Sequence, residues 1–248
     1  MSYSRTAYPV RSELTAAHRR AWGRLGAPGT WFSGAERAAI VAAARAADDC
    51  DLCRRRKDAV SPYAVDGEHD GADAAPAPLP AALVDVVHRI RTDPGRLSRR
   101  ILDDALAAGV ADAEYVEALS VLVTATDIDF FCRALGIAPH PLPTVVPGEP
   151  SGERPAGVAD DGAWLPTLPN GDHPQSAALY GGNFYPNVGR AMSLVPDAVR
   201  ALVDLFPAQY VPLTAVPDGT HEPDGRALNR AQMELVASRV SALNECFY

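Results

Sequence analysis

The sequence is poor in cysteine, aromatics and lysine, and it has no long apolar run. Four cysteines in 248 residues are too few for the disulfide framework of a secreted scaffold. Two of them form Cys50-x-x-Cys53, a spacing more typical of a cytosolic redox or metal pair. Lys57 is the only lysine, and 23 basic against 31 acidic residues give a net charge of −8. A nucleic-acid surface needs a clustered basic face, which this balance argues against. No stretch reaches the roughly 18–20 apolar residues of a membrane span, and the N-terminal MSYSRTAYPVRSEL lacks the apolar core of a signal peptide. The reading is a soluble cytoplasmic protein with neither nucleic acid nor membrane as partner. Also missing are alternating β-branched runs, HExxH, a dinucleotide fingerprint and a Ser-His-Asp arrangement. The expected fold class is therefore all-α, with no cofactor implied.

What is present is helical. Ser12 to Leu25 has the pattern of a first helix, ended by Gly26-Ala27-Pro28-Gly29. Ser33 to Lys57 reads as a cap, a long Ala-rich helix, and the Cys pair opening onto Arg54-Arg55-Arg56-Lys57. Ser33 and Glu36 make a capping box, and Asn229 with Gln232 repeat it near the C-terminus. The distance from cap to cysteine is 17 residues in both copies, Ser33 to Cys50 and Asn229 to Cys246. Asp112 to Asp129 is a third piece in that register. Apolar spacing predicts further helices over Leu79 to Arg91, Leu97 to Ala108 and Ala113 to Leu135, the last as the centre of the core. Residues 136–176 turn to Pro, Gly and polar residues, a linker or a long wrapped loop. Gly181-Gly182-Asn183 reads as a turn and not a phosphate loop, and Tyr180, Phe184, Tyr185 and Tyr210 read as packing residues.

Cys-x-x-Cys at a helix N-terminus suits thiol redox chemistry. The helix dipole favours a thiolate, and one turn brings the sulfurs within bridging distance. The following basic run favours the thiolate, while Asp48, Asp49 and Asp51 oppose it. A structural zinc site would need two further ligands, for which Cys132 or His69 is available. Glu68-His69-Asp70 could supply a base near neutral pH, or merely cap the next helix. Glu234 is either catalytic or paired with Arg230 four residues back. His88, on an apolar helix, reads as a core or interface histidine, and Asp127 and Asp129 read as partners of an arginine or, failing that, as lining a pocket.

The stretches WFSGAERAAIVAAARAADDCDLCRRRKDAVSPYAVDGEHD and ALNRAQMELVASRVSALNECFY resemble the carboxymuconolactone decarboxylase-like superfamily, which includes the alkylhydroperoxidase D thiol peroxidases. The peroxidase motif of that family places a Glu twelve positions before a Cys-x-x-Cys, with a His four beyond the second Cys. Glu234 and Cys246 match its first two positions, and Cys50 and Cys53 match both thiols. In the first copy Ala38 stands at the Glu position and Lys57 at the His position, while the middle copy carries Glu117 and Cys132 in register with Asp129 in place of the first Cys. The second copy stops at Cys246-Phe247-Tyr248, which reads as an early end of the chain, as a selenocysteine codon taken for a stop, or as a genuine loss leaving an inactive unit.

The resemblance implies two related helical units, the second truncated, with a homo-oligomeric assembly. Residues 1–30 would be an N-terminal helical extension, 31–140 the first unit with Cys-x-x-Cys, 141–176 a Pro/Gly-rich linker, and 177–248 the incomplete second unit. It implies a peroxidase-like thiol oxidoreductase with Cys50, Cys53, Glu234, Cys246, His69 and Glu68 as site residues. Its partners would be a hydroperoxide or similar small substrate and an external thiol reductant. A lyase or isomerase of the decarboxylase branch, using His69, Glu68 and Glu234, is the alternative, and a catalytically inactive scaffold the third.

Overall fold

A computed structural model describes residues 2–4, 6–70, 75–171, 173–181, 185–212, 215–223, 225–244 and 246. Gly182, Asn183 and Phe184, and Phe247 and Tyr248 after Cys246, lie outside the described residues. The architecture is all-α, with one isolated antiparallel bridge, Ala159 to Thr167, as the β element among the described residues. Among the described residues no helix is long and apolar enough to cross a membrane.

The first helix, α1 (Ser12–Leu25), has the expected bounds and buries Leu14, Ala17, Ala21, Trp22 and Leu25. The Ala-rich helix α2 (Gly34–Ala46) starts at the expected box: the Ser33 hydroxyl accepts from the Glu36 amide, and Glu36 accepts from the Ser33 amide at 2.8 Å. It is shorter than its composition suggests. A 3-10 turn over Ala47–Asp49 follows, Cys50 is extended, and a separate helix α3 (Asp51–Asp58) begins. The Asp48 carboxylate, drawn to Arg91 at 2.6 Å, helps hold this break, because Arg91 lies on the next helix, α4 (Ala81–Thr92).

Helices α5 (Arg99–Ala107) and α6 (Asp112–Ala134) complete the main core. Ala38, Ala39, Ile40 and Val41 of α2 are fully buried. The methyl side chains of Ala38 and Ala39 let α2 lie close against its neighbours α6 and α4, and Ile40 and Val41 pack in the core with Val87, Val121, Leu122 and Ile128. The third capping unit differs from expectation. Ala111 occupies the N-cap of α6, with its amide donating to Glu114, and Asp112 sits in the first turn paired with Arg154. Asp129 does pair with an arginine, in a two-pronged contact with Arg45.

Residues 143–152 run over the loop between α1 and α2. The amides of Val146, Ser151 and Gly152 donate to the carbonyls of Gly26, Gly29 and Thr30. Gly26 is required there: a Cβ would lie 2.1 Å from the Thr144 carbonyl oxygen. Further on, Leu168 is buried against Tyr180 and Tyr185, which flank α7 (Pro174–Tyr180) and α8 (Asn187–Arg190). Helix α9 (Pro196–Gln209) packs along α1. Last comes α10 (Arg230–Leu243), opened by the expected Asn229–Gln232 box and carrying exposed Leu235, Val236, Val240 and Leu243.

Candidate metal centre

The break after α2 places Cys50 at the N-cap of α3 and Cys53 in its first turn, both sulfurs facing inward. Both thiols are free and buried. The chain then passes through a 3-10 turn at Pro62–Ala64 and brings His69 back over them. His69 Nδ1 lies 3.5 Å from Cys50 Sγ and 3.6 Å from Cys53 Sγ. From the other side, α4 presents His88, whose Nδ1 lies 3.4 Å from Cys53 Sγ. One ligand atom from each of Cys50, Cys53, His69 and His88 falls within 4.8 Å of all the others.

These distances suit a particular geometry. With Zn–S near 2.3 Å and Zn–N about 2.0–2.1 Å, a tetrahedron has N···S edges of about 3.6 Å. Three N···S separations, 3.4 to 3.6 Å, already match this edge, and the other three donor pairs lie within 4.8 Å. Asp85, one helical turn before His88, accepts from His69 Nε2 at 2.9 Å. A proton fixed on Nε2 leaves the Nδ1 lone pair directed at the sulfurs, the tautomer a metal ligand needs. Asp85 is itself held by Arg89 at 2.7 Å and by Arg56.

The electrostatics follow from those contacts. Burial alone would raise the Asp85 carboxyl, but hydrogen bonds from His69, Arg89 and Arg56 outweigh it and hold it well below the usual carboxylate range. Burial would lower His69, yet the bonds to Asp85 and both thiols push it up to about 10. Burial would raise the Cys50 thiol, but the amides of Asp70 and Cys53 and the His69 ring bring it down to about 7. Burial and the neighbouring His69 push His88 down to about 4, so its ring stays neutral. A neutral imidazole and a readily ionised thiol are the forms that bind a metal. On the outer side, a cavity of about 460 Å3 reaches both cysteines and is lined by Arg54, Lys57, Arg91 and Arg133.

Of the residues singled out by sequence, Cys50, Cys53 and His69 come together. Glu68 is exposed. Glu234 lies on α10 and is bonded to Arg230, and Cys246 is exposed beyond that helix. Cys132, a zinc-ligand option on sequence grounds, is buried elsewhere beside Tyr3 and His140. The fourth member is His88, a core or interface histidine by sequence: it is buried, but its ring faces a sulfur. Asp85 at i−3 from His88, on the same helical face, is the signal that could have found it. Compared with known protein families, curated proteins and solved structures, the chain matches none.

Proposed function

We propose that Cys50, Cys53, His69 and His88 bind one zinc ion in a closed, structural site. The observation that carries this reading is the convergence of two thiols and two imidazoles, each donor atom within 4.8 Å of the rest. Two thiolates and two imidazoles favour zinc over hard cations, which take oxygen ligands, and the metal would displace the proton that His69 otherwise carries beside the thiols. Four protein ligands leave no open position for a substrate, which marks a structural centre and not a hydrolytic one. The ion would tie the start of α3, the segment through His69, and α4 into one unit. Those elements share little apolar contact of their own, since the local cluster holds only Cys50, Cys53 and Leu52 with Val65 beside them. A metal clip replaces the core that this corner lacks.

The direct test is metal content. Protein purified without chelator should carry one zinc per chain, lose it to a chelator with a drop in melting temperature, and regain both on adding zinc. His88→Ala should bind zinc far more weakly. A wild-type protein that takes up no zinc, with melting unchanged by chelator, refutes the reading.

The cavity reaching both sulfurs favours a second reading, in line with the alkylhydroperoxidase D resemblance. In the metal-free protein the Cys53 thiolate would attack a hydroperoxide oxygen, breaking the O–O bond and releasing water or alcohol as the sulfenic acid forms. Cys50 would then displace water to give the disulfide, and two thiols of an external reductant would restore the pair. His69 is placed to take the thiol proton, with Asp85 behind it. Thiol counting decides between the two: peroxide consumes two thiols per chain rapidly in the redox case, whereas bound zinc protects both.

A further inference from the structure

We propose that a second site, unrelated to the cysteine cluster, binds a small organic carboxylate carrying a hydroxyl beside its carboxylate. It is a cavity of about 320 Å3 between the α1–α2 loop, α6 and α9. Its floor is Glu117 of α6, only 3% exposed. One carboxylate oxygen, Oε2, accepts from the Trp31 amide at 2.6 Å. The other, Oε1, has no partner at hydrogen-bond geometry; the amides of Thr30 and Phe32 approach the carboxylate, and Arg37 Nη1 stands 3.6 Å from Oε1. The loop fits this carboxylate closely, because a Cβ on Gly29 would lie 1.8 Å from Oε1.

Two guanidiniums share the cavity with unused donors: Nε of Arg37, and Nε and Nη2 of Arg24. Arg24 spends one nitrogen on Asp204 at 2.8 Å, and Arg200 is satisfied by Asp197. Burial disfavours the charged form of Arg37; Glu117 and Asp197 oppose this, and the Arg24 charge nearby adds to it. Two cations with idle, in-plane donors call for an oxyanion between them. A buried carboxylate oxygen without a donor calls for a hydroxyl or similar group within reach of that anion. Pro28, Val195, Ala198 and Ala201 supply an apolar wall, which suits a carbon skeleton better than inorganic phosphate. The ligand carboxylate lies on Arg24 and Arg37, and its hydroxyl donates to Glu117 Oε1.

Titration calorimetry on the full chain with 2-hydroxybutyrate, butyrate and inorganic phosphate tests this. The hydroxy acid should bind, with butyrate weaker by about tenfold or more because the buried acceptor is left unpaired. Arg37→Met should abolish the binding. Should that variant fail to fold, Ala201→Phe fills the cavity from α9 without removing an ionic group, and should abolish it equally. Absence of heat from 2-hydroxybutyrate at about 20 mM, equal binding of butyrate, or tighter binding of phosphate would each overturn the proposal. So would retention of full affinity in a folded Ala201→Phe protein.

Discussion

Asp85→Asn tests how the metal centre is oriented. The carboxylate stands 2.9 Å from His69 Nε2 and holds the ring with Nδ1 toward the sulfurs. Asparagine keeps an acceptor of the same size but removes the negative charge that strengthens the His69 ligand. Loss of such an outer partner typically weakens metal binding about 10–100-fold, or about 1.4–2.7 kcal/mol. With zinc in excess the same amount is lost from the stability of the loaded protein. For a chain of this size that corresponds to a melting temperature lower by roughly 3–10 °C. The assay is competition for zinc against a chromophoric chelator at fixed pH and salt, with circular dichroism confirming the fold. Asp85 also anchors Arg89 at 2.7 Å, so Arg89→Met serves as control: it removes that ion pair and leaves His69 Nε2 paired. The control should change zinc affinity by less than about threefold. A folded Asp85→Asn protein with wild-type zinc affinity would refute the proposed role of the carboxylate.

Two further outcomes follow from groups away from the metal. His18 is buried against Tyr3 and Phe131, and desolvation pushes its ring down to about 4 from 6.5. The unfolded chain therefore takes up a proton near pH 6.5 that the folded chain refuses until about 4, so stability is full above that window and falls as pH drops through it. The loss is about 3 kcal/mol at most. Urea unfolding of wild type and His18→Gln across this range checks it, and parallel slopes for the two proteins would refute it. Gly26→Ala puts a methyl group 2.1 Å from the Thr144 carbonyl oxygen, which should cost about 1–3 kcal/mol by overpacking. A melting temperature within about 1 °C of wild type would show that residues 143–152 are not held against the α1–α2 loop as described.

Much of the helical frame was legible because its signals are local. The capping pairs Ser33–Glu36 and Asn229–Gln232 are written within four residues, and both boxes form. The apolar spacing of Leu83, Val86, Val87 and Ile90 marked α4, and all four are buried. The helix N-terminus at Cys-x-x-Cys is borne out by Cys50 as the N-cap of α3, but the 3-10 turn over Ala47–Asp49 was not legible, since the contact that helps hold it is Asp48 with Arg91, 43 residues away. The shared register of three 17-residue pieces held at two caps and failed at the third, where Ala111 is the N-cap and Asp112 is drawn to Arg154. Half of the metal centre was visible as Cys-x-x-Cys, and His69 was flagged for its nearness in sequence. His88 escaped because burial on an apolar helix says nothing about which way the ring nitrogens point. The second cavity escaped for the same reason: Glu117 was noted for its spacing to Cys132, whereas its surroundings come from α1, α2 and α9.

X-ray absorption at the zinc edge tests the central claim most directly, because it counts the ligand atoms. Four protein donors predict two sulfurs near 2.3 Å and two nitrogens at about 2.0–2.1 Å, with no light-atom ligand left over. A first shell of oxygens and nitrogens without sulfur, or a chain that holds no zinc while Cys50 and Cys53 join as a disulfide, would contradict it.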